Sequence, residues 1–402
     1  LNDVFTCTPS MIDTMSALGI YDLVRYLHEH GACASTNAMD HAASLDLIKF
    51  LHDNRNEGCT ESAMDNAASN GRLDIVEFLH NERTEGCTHN AMDLAAGHGF
   101  LEVVKFLHDK RTEGCTTEAL DKAASNGHLP IVEFLHQHRT EGGTTEAMSY
   151  AVSAGHLSVV KYLHQHFPSF KLPQYAMDGA ARNGLLDIIE FLHVNRTEGC
   201  TYQAMDSAAS GGHLPVVEYL HNNRTEGCSK KAMDWAASNG HMDMVLFLHN
   251  NRTEGATIDA MNLAASAGRL DMVRFLHEQR TEGCDYSAMT CAAAAGYLDV
   301  VQFLHENRTE GCTTDAMDGA IRIGRMDIVQ YLHHNRTEGC SDNGLLYGIY
   351  RDNTDLMRFL FKNYLHIIDG NSSKKMVQVY YNLFAMENNS VSVIAAPAVP
   401  GM

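Results

Sequence analysis

The sequence predicts an all-α chain, an α-solenoid of about thirteen stacked helix-turn-helix repeats. Three observations carry that prediction. A Leu-His pair returns at an almost constant interval, a glycine sits midway through most intervals, and a capping residue opens most of them. A fixed period of this size is the signature of one supersecondary unit stacked on copies of itself.

The interval comes from the histidine of the pair, which falls at residues 28, 52, 80, 108, 136, 164, 193, 221, 249, 277, 305 and 333. After a first step of 24 the steps are 28, with a single 29 between His164 and His193. One more step of 28 reaches Phe361, where the histidine is replaced. The repeats therefore span 1–362, with atypical second and last members.

One repeat, 60–87, shows why each element forms. Thr60 is a helix N-cap, a role filled at equivalent positions by Thr88, Thr116, Thr144, Thr201, Ser229, Thr257, Asp285, Thr313 and Ser341. A short helix over 63–70 follows, and Gly71 ends it, since glycine alone adopts a left-handed backbone at no steric cost. A second helix over 73–80 carries a wide apolar face. Pro130 and Pro215 enter its first turn in two repeats, where a missing N–H costs little. Arg83-Thr84-Glu85-Gly86-Cys87 then turns the chain back to the next cap.

These residues resemble the ankyrin repeat. The family's Thr-Pro-Leu-His-x-Ala-Ala-x-x-Gly-His-Leu-Glu-Val-Val pattern maps onto stretches such as Thr116 to Val132, with Ala-Met or Ala-Leu and Asp in place of Pro-Leu-His. The resemblance covers nearly nine-tenths of the chain. Ankyrin repeats run to about 33 residues, so each repeat here is shorter, and the loss falls after the second helix. The resemblance thus implies a stack without most of the projecting β-hairpin finger, and first helices that line a concave, partner-facing surface. Repeats of this shortened kind are similar to those of some protist ankyrin families.

Four places break the pattern. In the second repeat, 38–52, Ser44 runs straight into Leu45 without a glycine turn. The last repeat, 344–361, loses its Ala-Ala pair. Beyond it the expectation is a helical extension over 363–390, centred on 374–386, and an apolar, flexible tail over 391–402. Inside the array, residues 165–175 replace the usual loop and add a residue, as a bend or a contact site.

The composition, 45% apolar and 20% charged, is that of a soluble folded protein. A net charge of −20 disfavours nucleic acid and anionic membrane as partners. No apolar run approaches the roughly 18 residues a membrane span needs. No leader is read, and the sequence opens at Leu1 rather than Met, which leaves room for a segment before it.

The repeated polar residues invite chemical readings. Histidine and cysteine seven apart, such as His305 and Cys312, could ligate a metal, but equivalent atoms of stacked helices sit about 10 Å apart and do not converge. Gly143 and Ala256 replace the cysteine in two repeats, which packing tolerates and ligation does not. The histidine is expected to face the C-terminal dipole of its helix as a partial positive charge, and the cysteine to be a small buried hydrophobe. Neighbouring cysteines are too far apart for disulfides, which need Cα atoms within about 7 Å. The regularly placed cysteines therefore imply free thiols and a reducing, cytoplasmic setting. The Asn-Arg-Thr sequons at Asn195, Asn223, Asn251, Asn307 and Asn335 are expected to stay unused there.

An Arg and a Glu recur in the loops of ten repeats, and an Asp in the first helix of most. Acid–base chemistry uses such groups, yet a catalytic site is normally single and recessed, so ladders of complementary charge locking loop to loop are expected. No cofactor, metal or catalytic residue is read.

Specificity is expected where the repeats differ. Position 66 and its equivalents run Asn66, Leu94, Lys122, Tyr150, Gly179, Ser207, Trp235, Leu263, Cys291 and Gly319, on the face opposite Met64, Ala67 and Ala68. Tyr202, Lys230, Lys231, Trp235, Ile258, Leu263 and Tyr286 cluster at variable positions of neighbouring repeats, with Lys122 and Tyr150 as further candidates. Trp235 is the only tryptophan and lies one turn after Lys231, within reach of a cation–π contact. Aromatic anchors of this kind mark interfaces; the alternative is that Trp235 folds down over its alanine-rich neighbours. The function expected is a non-catalytic scaffold that binds a protein or peptide on the helix-one face. The competing reading is a structural protein that self-associates through its ends or tail.

Overall fold

The computed structural model describes residues 10–349 and 353–364. Among the described residues there are twenty-six helices and no strand. The chain divides into two compact blocks between Thr201 and Tyr202, each a run of stacked helix pairs.

Within either block the repeat is built as its residues dictate. Thr60 has an extended backbone, and its hydroxyl accepts the Ser62 N–H to open the helix Glu61–Ser69. Gly71, at φ +68°, ends it: the Gly71 N–H bonds to Ala68 and the Arg72 N–H to the Ala67 carbonyl at 2.9 Å, the Schellman closure. The second helix, Leu73–Glu82, follows at once and buries Ile75, Val76 and Leu79 against Met64, Ala67 and Ala68. It runs two residues beyond the sequence expectation. Pro130 and Pro215 occupy the first turns of Leu129–His138 and Leu214–Asn223. Successive first helices pack on one another far more extensively than successive second helices do. Their inward residues are mostly alanine, which lets the backbones approach.

The lock between repeats is more specific than a charge ladder. In the N-terminal block Asp65 is buried and accepts the Thr88 N–H at 2.8 Å and the Thr88 hydroxyl at 2.6 Å. The Thr88 hydroxyl in turn accepts the Asn90 N–H. One threonine therefore caps its own helix and fastens it to the preceding one, as Asp40–Thr60, Asp93–Thr116 and Asp121–Thr144 repeat. Asp234–Thr257 and Asp318–Ser341 do the same in the C-terminal block. Where the cap is Asp285, a second carboxylate opposite would repel, and Asn262 stands there instead, donating to Asp285 at 3.0 Å.

Arg and Glu of the loops pair within a loop, Arg55–Glu57 at 2.6 Å for example, not between loops as the sequence suggested. The link to the previous repeat is made by the glutamate accepting a backbone N–H: Glu198 from Leu172 at 3.2 Å, Glu282 from Ala256 at 3.1 Å. The helix-end histidine packs against the next repeat. His80 stands edge-on to Phe106 and its Nδ1 accepts from Arg111 at 3.5 Å; His221 and His249 accept from Arg252 and Arg280 at 3.3 Å. In these repeats the ring is aromatic packing surface and hydrogen-bond acceptor; at His52, His108, His164, His277 and His305 the Nδ1 is buried without a hydrogen-bond partner.

Residues 165–175 are anchored at two points, while Pro168, Ser169, Lys171 and Gln174 are exposed and Tyr175 is 70% exposed. Phe170 and Leu172 are buried, Phe167 stacks on Phe170 at 4.8 Å, and Arg196 donates to the Phe170 carbonyl at 2.7 Å. Pro173 takes the place of the capping threonine and has no N–H to offer. Ser149 stands where the locking aspartate would be and turns its hydroxyl to Thr145 instead. The helix expected over 374–386 and the tail over 391–402 lie outside the described residues; the last described helix is Thr354–Tyr364.

Candidate partner-binding site

Position 66 and its equivalents lie on the first helix where it passes the end of the preceding first helix. All but Gly319 are half-buried or exposed, and several are already engaged. Asn66 donates to the Asp40 carbonyl at 2.9 Å. Gly319 is buried, and a Cβ there would collide with Ala294, so its small size is a packing demand, not variation.

The nine candidate residues separate by block. Lys122 and Tyr150 belong to the N-terminal block. Lys122 is half-buried and pairs with Glu118 at 2.7 Å, which leaves it little free charge; Tyr150 is exposed. The other seven all belong to the C-terminal block, on four first helices and the residues just before two of them. Lys231–Asn239 packs between Tyr202–Gly211 and Asp259–Ser266, and Tyr286–Ala295 follows. Tyr202, Lys230, Ile258 and Tyr286 occupy the same place at the helix starts and are all exposed. Ser229 and Thr257 cap as expected through their hydroxyls, which accept the Lys231 and Asp259 N–H groups, although regular helix begins one residue later than the cap would suggest.

Trp235 is 38% exposed and Leu263 36%, so part of each side chain reaches the surface while the rest is covered. The Lys231 ammonium lies 5.5 Å from the Trp235 ring centroid. Beneath this layer the buried Asp206 and Asp234 carboxyls are pushed up from the usual carboxylate range by burial, against the hydrogen bonds of Ser229 and Thr257. The arrangement offers apolar side chains and two ammonium groups at the surface. Leu246 and Tyr297 are also exposed in this block; Leu246 lies on a second helix, outside the first-helix pattern that marks the other candidates. Tyr297 covers Gly268.

The cysteines pack as small side chains. Cys59, Cys87, Cys200 and Cys340 are buried; Cys115, Cys228, Cys284 and Cys312 are half-buried; no disulfide joins any described cysteine. Burial pushes the Cys87 thiol up to about 11 and those of Cys228 and Cys340 to about 12. Among the described residues no group of three or more His, Cys, Asp or Glu could hold a metal ion, and no helix is long and apolar enough to cross a membrane.

The fold and its surface define a helical repeat protein. Family models confirm the kind of repeat: one described as ankyrin repeats in three copies matches residues 92–173, and others described as ankyrin repeats in many copies match 51–95, 205–249, 233–277, 261–305 and 289–333. These matches cover more than half of the chain, which belongs to the ankyrin-repeat family. Ankyrin repeats generally mediate protein–protein interaction. No curated protein matches the sequence. Among solved structures the chain is similar, at a TM-score of 0.42 and 11% identity, to the pentatricopeptide repeat protein PPR10 in complex with an 18-nt psaJ RNA element. A cysteine-to-serine form of PPR10 with the same RNA gives the same figures. The comparison covers 94% of this chain, which spans 63% of that one.

Proposed function

We propose that this chain is a non-catalytic interaction scaffold whose C-terminal block holds a protein or peptide partner on its helix-one face. The observation that supports the reading best is Trp235, exposed beneath the Lys231 ammonium, with Tyr202, Ile258, Leu263 and Tyr286 exposed in other repeats of the same block. Large rings in a scaffold whose inward residues are mostly alanine offer contact area at small entropic cost, and such rings dominate interface energetics. Lys230 and Lys231 add positive charge to a chain of net charge −20, so an acidic stretch on the partner fits here better than elsewhere.

The test is an affinity capture from the source organism's lysate with the wild type beside Trp235→Ala/Lys231→Glu. Both residues are exposed, so the variant keeps its fold. A protein held by the wild type and released by the variant supports the site. Partners held equally by both sink it, and capture of the chain by itself favours self-association.

A further inference from the structure

The first helix pair, Ser10–Ala17 and Tyr21–Glu29, is joined to the repeat after it as interior repeats are joined. Asp13 accepts the Ser35 N–H at 3.0 Å and the Ser35 hydroxyl at 2.5 Å. Phe50 stands edge-on to His28, whose Nδ1 accepts from Arg55 at 3.2 Å. Yet Met11, Leu18, Ile20, Leu23 and Tyr26, all on this pair and its turn, are exposed.

Their equivalents elsewhere show what those places are for. Leu23 stands five residues before its helix-end histidine and is 37% exposed; Leu47, Ile75 and Val103 hold that register, and in no other repeat does its residue exceed 2%. Met11 corresponds to the buried Ala63 and Ala91. The other three registers reach back to the preceding repeat. Tyr26 corresponds to Phe78 and Phe106, which stand edge-on to His52 at 5.6 Å and His80 at 5.5 Å. No histidine precedes Tyr26 in the sequence, and its ring lies instead on His30 of its own helix end. Ile20 corresponds to Phe100 and His128, which lie over Gly71 and Gly99. Leu18 corresponds to Asn126 and Asn183, which donate to the Gly97 and Ser153 carbonyls at 2.7 and 2.9 Å.

A repeat that closes a stack presents a polar outer face; this one presents an apolar face, and exposed apolar patches mark contacts. The registers also set the chemistry of the contact: a helix-end histidine for Tyr26 and a turn glycine for Ile20. Both belong to the trailing side of a repeat of this kind. The last repeat of a second copy does not offer it, because Phe361 replaces the histidine there. Residues 1–9 are too few to supply it, since Glu61–Ser69 and Leu73–Glu82 take 9 and 10 residues. The connection to such a repeat is nonetheless written in the sequence. Thr8 stands five residues before Asp13 as Thr60 does before Asp65, and Cys7-Thr8 matches the Cys-Thr that ends the loop after a second helix at 59–60, 87–88 and 115–116. We infer that the leading face of this first helix pair is a docking surface for the trailing side of one further repeat of the same kind, joined through a loop that ends at Cys7-Thr8. The inference is independent of the Trp235 surface.

The test compares the full chain with an extended one, in which a copy of residues 60–87 replaces residues 1–7 and runs into Thr8. Hydroxyl-radical footprinting, read by peptide mass spectrometry, follows Met11, Leu23 and Tyr26, with the exposed Tyr175 as reference. Labelling of the three is expected to fall at least fivefold in the extended chain, with Tyr175 unchanged. Leu23→Asp is expected to fold in the full chain, where Leu23 is exposed, and to return Met11 and Tyr26 to full labelling in the extended one. Protein isolated from its source is expected to show the protected pattern. Sedimentation of each sample reports its oligomeric state. The proposal is overturned if the extended chain labels as the full chain does, or if the full chain is already protected as a monomer. It is equally overturned if protection comes only with self-association, or if the isolated protein labels freely at Met11 and Tyr26.

Discussion

The two blocks are written with the same repeat but use it differently. The C-terminal block keeps its period without interruption from Tyr202 through Asn335 and carries its variety outward, as Trp235, Leu263, Ile258 and Tyr286. The N-terminal block is interrupted twice, by the deletion after Ser44 and by the insert at 165–175, and its outward positions are mixed: Asn66 bonds to Asp40 and Lys122 to Glu118, while Tyr150 is exposed. The comparison teaches that a stack can vary in two ways. One changes an outward side chain and leaves the scaffold alone; the other alters the scaffold itself.

Equivalent positions in the two blocks turn this into measurements. The largest effect is expected at the lock. Asp234→Ala leaves the Thr257 N–H and hydroxyl without their acceptor and should cost about 2–3 kcal/mol, the penalty of orphaned buried donors. Ser149→Ala, at the same register in the N-terminal block, should stay within about 0.5 kcal/mol, because Pro173 offers nothing to hold. Urea unfolding of both variants measures the contrast; equal losses would show that the lock is not what the aspartate is for.

Next come two glycines of one register. Gly319→Ala should destabilise by about 1–3 kcal/mol through collision with Ala294, as overpacking does. Gly179→Ala meets nothing and should stabilise by about 0.5–1 kcal/mol through helix propensity. Opposite signs in thermal unfolding are the expected result, and the same sign in both would contradict the packing described.

Acid should also act on both blocks, with a difference between them. Burial alone would raise the carboxyls of Glu113 and Glu282, but the hydrogen bonds from Arg111 and Arg280 and from backbone N–H groups outweigh it and bring both down to about 2. A lowered folded value means stability that is present above the ordinary value near 4.5 and lost as pH falls toward 2. In the C-terminal block Asp206, Asp234 and Asp318 are raised by burial, so they take up protons before the unfolded chain does and offset part of that loss. Stability measured at pH 6 and pH 3, with Trp235 fluorescence as the probe, should fall less steeply in Glu282→Gln than in the wild type. An unchanged slope would remove Glu282 from the account.

The smallest effect concerns thiols. Cys33 and Cys291 are exposed, one in each block, and should be alkylated in the native state; Cys228 and Cys340, pushed up to about 12 by burial, should react only on unfolding. Peptide mapping after brief iodoacetamide treatment reads this directly.

Much of the scaffold could be read from the residues because its signals are local. A capping hydroxyl, a glycine forced to positive φ and an apolar 3.6-residue rhythm each act within one turn, so helix positions near Thr60, Gly71 and Leu73 followed from sequence alone. The candidate surface was legible for the same reason: Lys231 and Trp235 share a helical turn. What the sequence did not settle were partners some twenty-three to thirty-one residues away. It showed that Asp65 and Thr88 recur, not that one grips the other; that His80 and Arg111 recur, not that the ring accepts from the guanidinium. It showed Leu23 and Tyr26 in the repeat's apolar pattern, but not that they would stand open where their equivalents are covered. Those outcomes depend on which atoms the stack brings within about 3 Å, and only the tertiary structure decides that.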